Sequence, residues 1–274
     1  MIRAYYEAGD GTIINLDRYP YKMETADLLD YEWSYVTNNN RISYFEKDLK
    51  TKSMTIHILG DTAAEYAVNW KRIHDTFGKD MSNMTPGKLH INSCYLLCYI
   101  YADTVDLWTK NINHTKNEFK LVAEKPVWIE ERTVSVHNVT GTTGKTYNYT
   151  YPYTYGVRQI TSINIDHYGA SDFRIIAYGP FDSFYLTIGP NTYNVLHSVS
   201  SNEYLVIDSR ETADVGNACY IVSSTGAKTN VFDYRNPKFA LFAQIPAGNQ
   251  PISYSGEHGL ELTVFIERST PLWT

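Results

Sequence analysis

The chain has 274 residues, 43% apolar and 20% charged, with a formal net charge of −6. That make-up belongs to a folded protein with room for one large domain or two ordinary ones, not to a disordered chain. The acidic balance argues against sequence-specific or adhesive nucleic-acid binding, no apolar run approaches the ~18–20 residues of a membrane span, and the opening Met1-Ile-Arg-Ala-Tyr-Tyr lacks the apolar core of a secretion signal.

Residues 1–20 carry Gly9-Asp10-Gly11 between two short apolar stretches, which predicts a hairpin. A dinucleotide-binding loop would need a third glycine and a following helix, and both are missing. Leu28, Leu29, Trp33 and Tyr35 precede Asn38-Asn39-Asn40, a turn, and the mixed, charged run 42–50 suits an exposed hairpin or arm. Met54, Ile56 and Ile58 alternate with Thr55 and His57, the period of a half-buried strand. Thr62 with Glu65 three places on is a capping box, so a helix is expected to begin at Ala63. Tyr66, Trp70, Ile73 and Phe77 form its apolar stripe, and Gly78 suits the left-handed position that ends a helix. Pro86-Gly87 is a turn leading into Leu89 and one long apolar segment that ends at Tyr101. The expectation is a strand–helix–strand unit with Trp70 near its centre. Residues 103–120 read as a strand plus a loop.

An odd count of three cysteines is no disulfide framework. Cys94 and Cys98 on one face of a strand would lie about 13 Å apart at ~3.3 Å per residue, beyond bridging reach, so core thiols are expected. Without a secretion signal, the sequons at Asn83, Asn113, Asn138 and Asn148 are chance matches.

Composition changes near residue 132, where a domain boundary is expected. Residues 139–155 are mostly Gly, Thr, Asn and Tyr, with Tyr147, Tyr149, Tyr151, Tyr153 and Tyr155 at every second place. An extended segment would put all five rings on one face. They are either an edge strand packing on its own domain or a ladder facing a ligand or another subunit. Past 157 no helix-length pattern appears. Short strand-like runs follow at 157–165, 173–178, 184–188, 193–199, 204–207, 219–222, 231–234, 239–245 and 260–266, which predicts a two-sheet sandwich or jelly roll.

No motif supplies chemistry. Gly141-Thr-Thr-Gly144-Lys145-Thr146 ends like a phosphate loop, but Val139 stands where its first glycine belongs and a tyrosine ladder follows in place of a helix. His258 with Glu257 and Glu261 is a weak metal set. Glu130 and Glu131 point to opposite faces of a strand, and carboxylates recruited from distant strands are the only route to a glycosidase. The reading is non-enzymatic, without cofactor or metal.

The Trp70 helix after a strand, Pro86-Gly87-Lys88-Leu89, and Lys125-Pro126-Val127-Trp128 resemble the N-terminal domain of the distal tail protein family of long-tailed (siphovirus-type) bacteriophages and prophages. Tyr178-Gly179-Pro180, Ile188-Gly189, residues 203–208, residues 245–249 and Pro271-Leu272-Trp273 extend the resemblance in order over nearly the whole chain. The resemblance implies a mainly β protein, with an α+β ring-forming domain at 1–132 and a galectin-like β-sandwich at 133–274. It implies a homohexameric hub joining tail tube to tail tip, with DNA passing through the ring. The partners it implies are the tail tube protein, the tape measure protein, the tail-tip hub or tail-associated lysin and a receptor-binding protein, within a virion made in the host cytoplasm. The structural-motif residues would be Trp70, Pro86, Gly87, Leu89, Pro126 and Trp128, with Tyr147, Tyr149, Tyr151, Tyr153 and Tyr155 as an interface. The alternative is a carbohydrate-binding module built on the C-terminal sandwich, although a galectin's His-x-Asn-Pro-Arg strand and stacking tryptophan are absent and no Trp lies between Trp128 and Trp273.

Overall fold

Alternation of buried and exposed side chains runs through most of the chain, and strands are what that period produces. The computed structural model describes residues 3–106, 112–136, 161–211, 218–254 and 259–272. The protein is mainly β with one principal helix. Its contacts divide it into a first unit, Met1–Glu130 with Glu267–Thr274, and a second, Glu131–Ile266.

In the first unit β1 (Ala4–Glu7) and β2 (Ile13–Asn15) form the hairpin around Gly9-Asp10-Gly11. Next come β3 (Asp17–Arg18), β4 (Tyr21–Ala26), β5 (Ser34–Asn38), β6 (Arg41–Glu46) and β7 (Lys50–Leu59). The helix α1 (Ala63–Asn83) leads to β8 (Gly87–Ile91), β9 (Cys94–Val105), β10 (His114–Ala123) and β11 (Trp128–Val136). The long strand β9 organises the sheet. Its first half pairs with β8 on one edge and β11 on the other, and its second half pairs with β10, which continues to β7, β4 and β3. Met54, Ile56 and Ile58 of β7 and Phe119 and Leu121 of β10 are buried beneath Tyr66, Ile73 and Phe77 of α1. At the point where the chain leaves and re-enters this unit, Arg268 donates to Glu130 at 2.7 and 2.8 Å.

Three expectations are corrected here. The apolar run 89–101 is a hairpin, because Asn92 takes a left-handed φ of +53° and its side chain accepts the Arg3 N–H at 3.0 Å. The helix does not stop at Gly78. It runs to Asn83 and ends on Met84, left-handed at φ +51°, whose N–H returns to the carbonyls of Asp80 and Met81. The added turn is held by a buried carboxylate. Asp80 accepts the Tyr6 hydroxyl at 2.7 Å and the Gly9 N–H at 3.0 Å. Burial first, then Cys98 and Asp80, holds the Tyr6 phenol well above its ordinary range, so it remains a donor. Trp70, finally, is only half-buried at the rim of the core.

Trp70 stacks on His74, ring centroids 4.2 Å apart. Both nitrogens of His74 face acceptors, Nδ1 toward the Trp70 carbonyl and Nε2 toward Asp103, each at 2.8 Å, and Asn117 donates to the same Asp103 oxygen at 2.7 Å. Burial opposes the charge, but the bonds to Asp103 and Trp70 and the charges of Asp103 and Asp75 outweigh it, and the His74 pKa is raised. The Trp70 ring stacked over it makes a cation–π contact when His74 is protonated.

The second unit is a two-sheet sandwich. Its strands are β12 (Ser162–Ile165), β13 (Asp172–Tyr178), β14 (Phe184–Ile188), β15 (Asn191–Val195), β16 (Tyr204–Asp208), β17 (Ala218–Val222), β18 (Lys228–Asn230), β19 (Gly248–Tyr254) and β20 (Leu260–Arg268). One sheet orders β12-β19-β14-β15, and the other includes β18-β17-β16-β13-β20. Leu186, Ile188 and Tyr193 of the first share one core with Phe173, Ile175, Ile207, Leu262 and Val264 of the second. Two expected strands are absent. At 231–234 the chain makes a 3-10 turn, Phe232–Tyr234, entered by the Asn230 side chain accepting the Phe232 N–H at 2.9 Å. At 239–245 the buried Leu241 and Ile245 anchor irregular backbone, with a single bridge from Ile245 to Ser171. Conversely β19 is disguised by Gly248 and Pro251, residues of turns.

All five tryptophans lie at 33, 70, 108, 128 and 273, so tryptophan fluorescence reports on the first unit alone. Asp80→Ala strands the buried Tyr6 hydroxyl and frees the Gly9 N–H, and is expected to destabilise that unit by about 1–3 kcal/mol in urea. Gly87→Ala would put a Cβ 2.1 Å from the Tyr6 hydroxyl oxygen and is expected to cost about 1–3 kcal/mol, an overpacking penalty. Because the folded pKa of His74 is raised, its contribution is fully present below about pH 6.5, the unfolded value, and is lost as pH rises through the folded value. The fluorescence-detected melting temperature should fall over that rise, and His74→Gln should flatten the fall.

Candidate functional site: an exposed aromatic arm

Chemistry-bearing side chains are here committed to structure. Among the described residues no three of His, Cys, Asp or Glu are grouped to hold a metal ion. On the outer face of the β4–β7–β10 sheet, His57 Nδ1 meets His114 Nε2 at 2.8 Å, and Glu24 joins His57 at 3.2 Å to Lys116 at 2.8 Å. Such alternating signs describe a solvated, paired surface. The three cysteines are free and buried, as expected. Burial pushes the Cys98 and Cys219 thiols up to about 12, which leaves them inert.

The unusual feature is a two-stranded ribbon with no sheet behind it. β5 and β6 pair only with each other, in the register Tyr35↔Phe45, Val36↔Tyr44 and Thr37↔Ile42, turning through Asn39 and Asn40 at φ +50° and +59°. Two consecutive positive φ values are the geometry of the type I′ hairpin turn, which asparagine tolerates. Tyr35 and Phe45 meet edge to face at 6.5 Å. The bulge between Val36 and Thr37 returns Ile42 to the face of Tyr35, while Tyr44 stands on the other. Every residue of β6 is exposed, and Tyr35, Ile42, Tyr44 and Phe45 keep 54–63% of their surface in water. An isolated hairpin of this kind is marginal in water by itself.

Three lysines hold its root. Lys47 donates to Ser269 at 3.0 Å and lies over the Trp33 ring at 4.7 Å, and Lys50 pairs with Glu32. The buried Lys52 donates to the backbone carbonyls of Asp27 and Asp30. Beside it is a cleft of about 160 Å³, lined by Tyr31, Asp48, Leu49, Lys50, Lys52 and Pro126 among others. Tyr31 and Leu49 at its mouth are each 60% exposed. The arm therefore leaves a fixed root and presents rings on both faces.

The residues singled out from sequence occupy different roles. Leu89 and Trp128 are buried in the first core, and Gly87 is the close-approach point under Tyr6. Pro86 precedes β8, Pro126 lines the root cleft, and Trp70 covers His74. Tyr147, Tyr149, Tyr151, Tyr153 and Tyr155 lie outside the described residues, as do the Gly141–Thr146 loop and His258. The sequence reading expected an exposed arm at 42–50 but did not mark its aromatic residues. The available signal was adjacent apolar pairs, Tyr35-Val36 and Tyr44-Phe45, between turn residues. A half-buried strand alternates, so such pairs leave apolar groups on both faces.

No family model and no curated sequence matches the chain. Among solved structures, the SPP1 Dit protein aligns over 97% of this chain and 99% of its own, at 8% identity and TM-score 0.59. Its structure is described as a paradigm of the hub adsorption apparatus in phages infecting Gram-positive hosts. A component of the phage P2 baseplate, in its activated conformation with calcium or with strontium, aligns over 99% of this chain and 100% of its own, at 11% identity and TM-score 0.63. The chain shares their fold. Its structural neighbours are phage distal tail and baseplate hub proteins.

The arm's root makes a direct prediction. Lys52→Ala removes the donor shared by the Asp27 and Asp30 carbonyls and is expected to expose the root to limited proteolysis within residues 27–50, where the wild type resists cleavage under the same conditions.

Proposed function

We propose that this chain is a structural virion protein, the hub at the distal end of a phage tail. The observation that carries this reading is likeness of fold across the entire chain, 97% or more of it, to a distal tail protein and a baseplate component. In this reading six copies close into a ring through the first unit, which continues the tail tube. The second unit is the galectin-like sandwich that projects from the ring, toward the parts that attach to the host. The neighbours along the axis are the tail tube protein and tape measure protein on one side and the tail-tip hub or tail-associated lysin on the other, with a receptor-binding protein at the periphery.

A non-catalytic role agrees with the chemistry of the described residues. The buried Asp80 and Glu130 and the half-buried His74 are each engaged by partners that hold elements together. No sugar-stacking tryptophan lies in the second unit, since every tryptophan of the chain belongs to the first. Native mass spectrometry and negative-stain electron microscopy of the purified chain should give a ring of six, alone or with its tail-tip neighbour. A strict monomer in both settings would overturn the reading.

A further inference from the structure

We propose that Arg174 anchors an oxyanion-binding site on the outer face of the sandwich sheet β16–β13–β20–β11, a seat for a phosphate or carboxylate group. The inference stands on the second unit alone and does not rest on the hub reading. Phe173 and Ile175 of β13 belong to the core, so Arg174 between them lies on the opposite face, half-buried. Its register neighbours on that face are Asp208 of β16 and Thr263 of β20. Two guanidinium groups converge there on one ring: that of Arg210 lies 4.0 Å from the Phe265 centroid and that of Arg174 5.9 Å. The buried carboxylate opposite Arg174 is already taken by Arg210. Oδ1 of Asp208 accepts the Arg210 Nε–H at 2.9 Å and its backbone N–H at 3.1 Å, and Oδ2 accepts an Nη2–H at 2.7 Å. Asp172, two residues before Arg174, accepts Ser209 and Gln244 instead.

Arg174 is thereby left with a charge and no counter-charge. Its Nε is out of reach of water and meets no acceptor, and among the described residues no carboxylate pairs with it. Elsewhere the chain pairs its sheltered arginines: Arg210 with Asp208 and Arg268 with Glu130, at side-chain exposures of 21% and 17%. A sheltered donor without a partner, on a group that cannot lose its proton, costs stability until an acceptor arrives. The neighbouring groups also donate. Thr263 stands directly opposite Arg174, where cross-strand Cβ atoms lie ~4.5–5.5 Å apart. It meets the exposed Thr133 of β11 hydroxyl to hydroxyl at 2.9 Å; one of the two protons makes that bond and the other remains to be offered. Such a set repels cations, and a neutral hydroxyl ligand would leave the guanidinium charge unmatched. An oxyanion supplies both the missing charge and paired oxygens that match the guanidinium fork.

The test is isothermal titration calorimetry of the full chain with inorganic phosphate and, separately, with acetate, at matched ionic strength in chloride. Wild type is compared with Arg174→Met, which keeps an apolar stem and removes the charge, and with Thr133→Val at the exposed rim. Far-UV circular dichroism melts check folding, since the second unit has no tryptophan. Phosphate and acetate also stabilise folds by exclusion from the surface, so binding heat and not a melting shift is the criterion. Saturable binding of either anion by wild type, weakened about tenfold or more in Arg174→Met, supports the proposal; that factor is ~1.4 kcal/mol, close to one charge-assisted hydrogen bond. The anion that binds tells whether the seat takes phosphate esters or carboxylates. No saturable heat in wild type overturns the proposal, as does binding equal in wild type and Arg174→Met. Should Arg174→Met fail to fold, Thr133→Val decides: weaker binding supports the seat and unchanged binding overturns it.

Discussion

A carboxylate with no water to solvate it must be surrounded by donors, and Asp80 shows how much structure that requirement can hold. Its partners come from opposite ends of the β1–β2 hairpin's first strand and turn, Tyr6 and Gly9, while its own backbone carbonyl receives the N–H groups of Met84 and Thr85. One residue therefore ties the hairpin to the last turn of α1 and sets where the chain turns toward β8. Gly87 follows from the same geometry, since the Tyr6 hydroxyl occupies the space of any side chain there. An apolar residue at 80 could fill the volume, but it could not specify a direction of approach for three segments at once.

The other polar arrangement under α1 serves a different end. His74 lies between two acceptors and beneath a tryptophan, so the helix is fastened to β9 through the Asp103 carboxylate. Tyr66 and Thr115 meet through their hydroxyls at 3.0 Å about two turns nearer the N-terminus. Together with Asp80 these groups form a polar row among the apolar contacts of Ile73 and Phe77, and the row fixes the rotation and register of the helix on its sheet. Apolar packing alone tolerates slippage, whereas a missed hydrogen bond in a buried site does not.

What was legible in the sequence follows from this division. Period-two alternation marked β7 and β20, and short apolar runs set between turn residues marked β13, β14, β16 and β17. The start of α1 was legible from Thr62 and Glu65, although the Glu65 carboxylate bonds the N–H of Asp61 and the Tyr19 hydroxyl, not the N–H of Thr62. Its end was not, for Gly78 gives a local stop signal and Asp80, a tertiary anchor whose partner Gly9 lies 71 residues away in sequence, overrides it. The turn at Asn92 and the strand containing Pro251 failed for the same reason: their stabilising partners, Arg3 and Leu272 in one case and Ser162 in the other, are remote.

The arm is where that logic reverses. In the body, each exception to the local pattern is matched by a partner within the same unit, as Asp80 is by Tyr6 and Glu130 by Arg268. Between Tyr35 and Phe45 the exceptions have no such match: rings stand on both faces of a ribbon that pairs with no other strand of the chain's described residues. The body thus fixes its elements with polar groups paired inside one unit, while a run of exposed rings lies on a lysine-braced ribbon apart from that core. Many apolar sequences can fill a core of given volume, which is how 8–11% identity can accompany a fold shared over the whole chain.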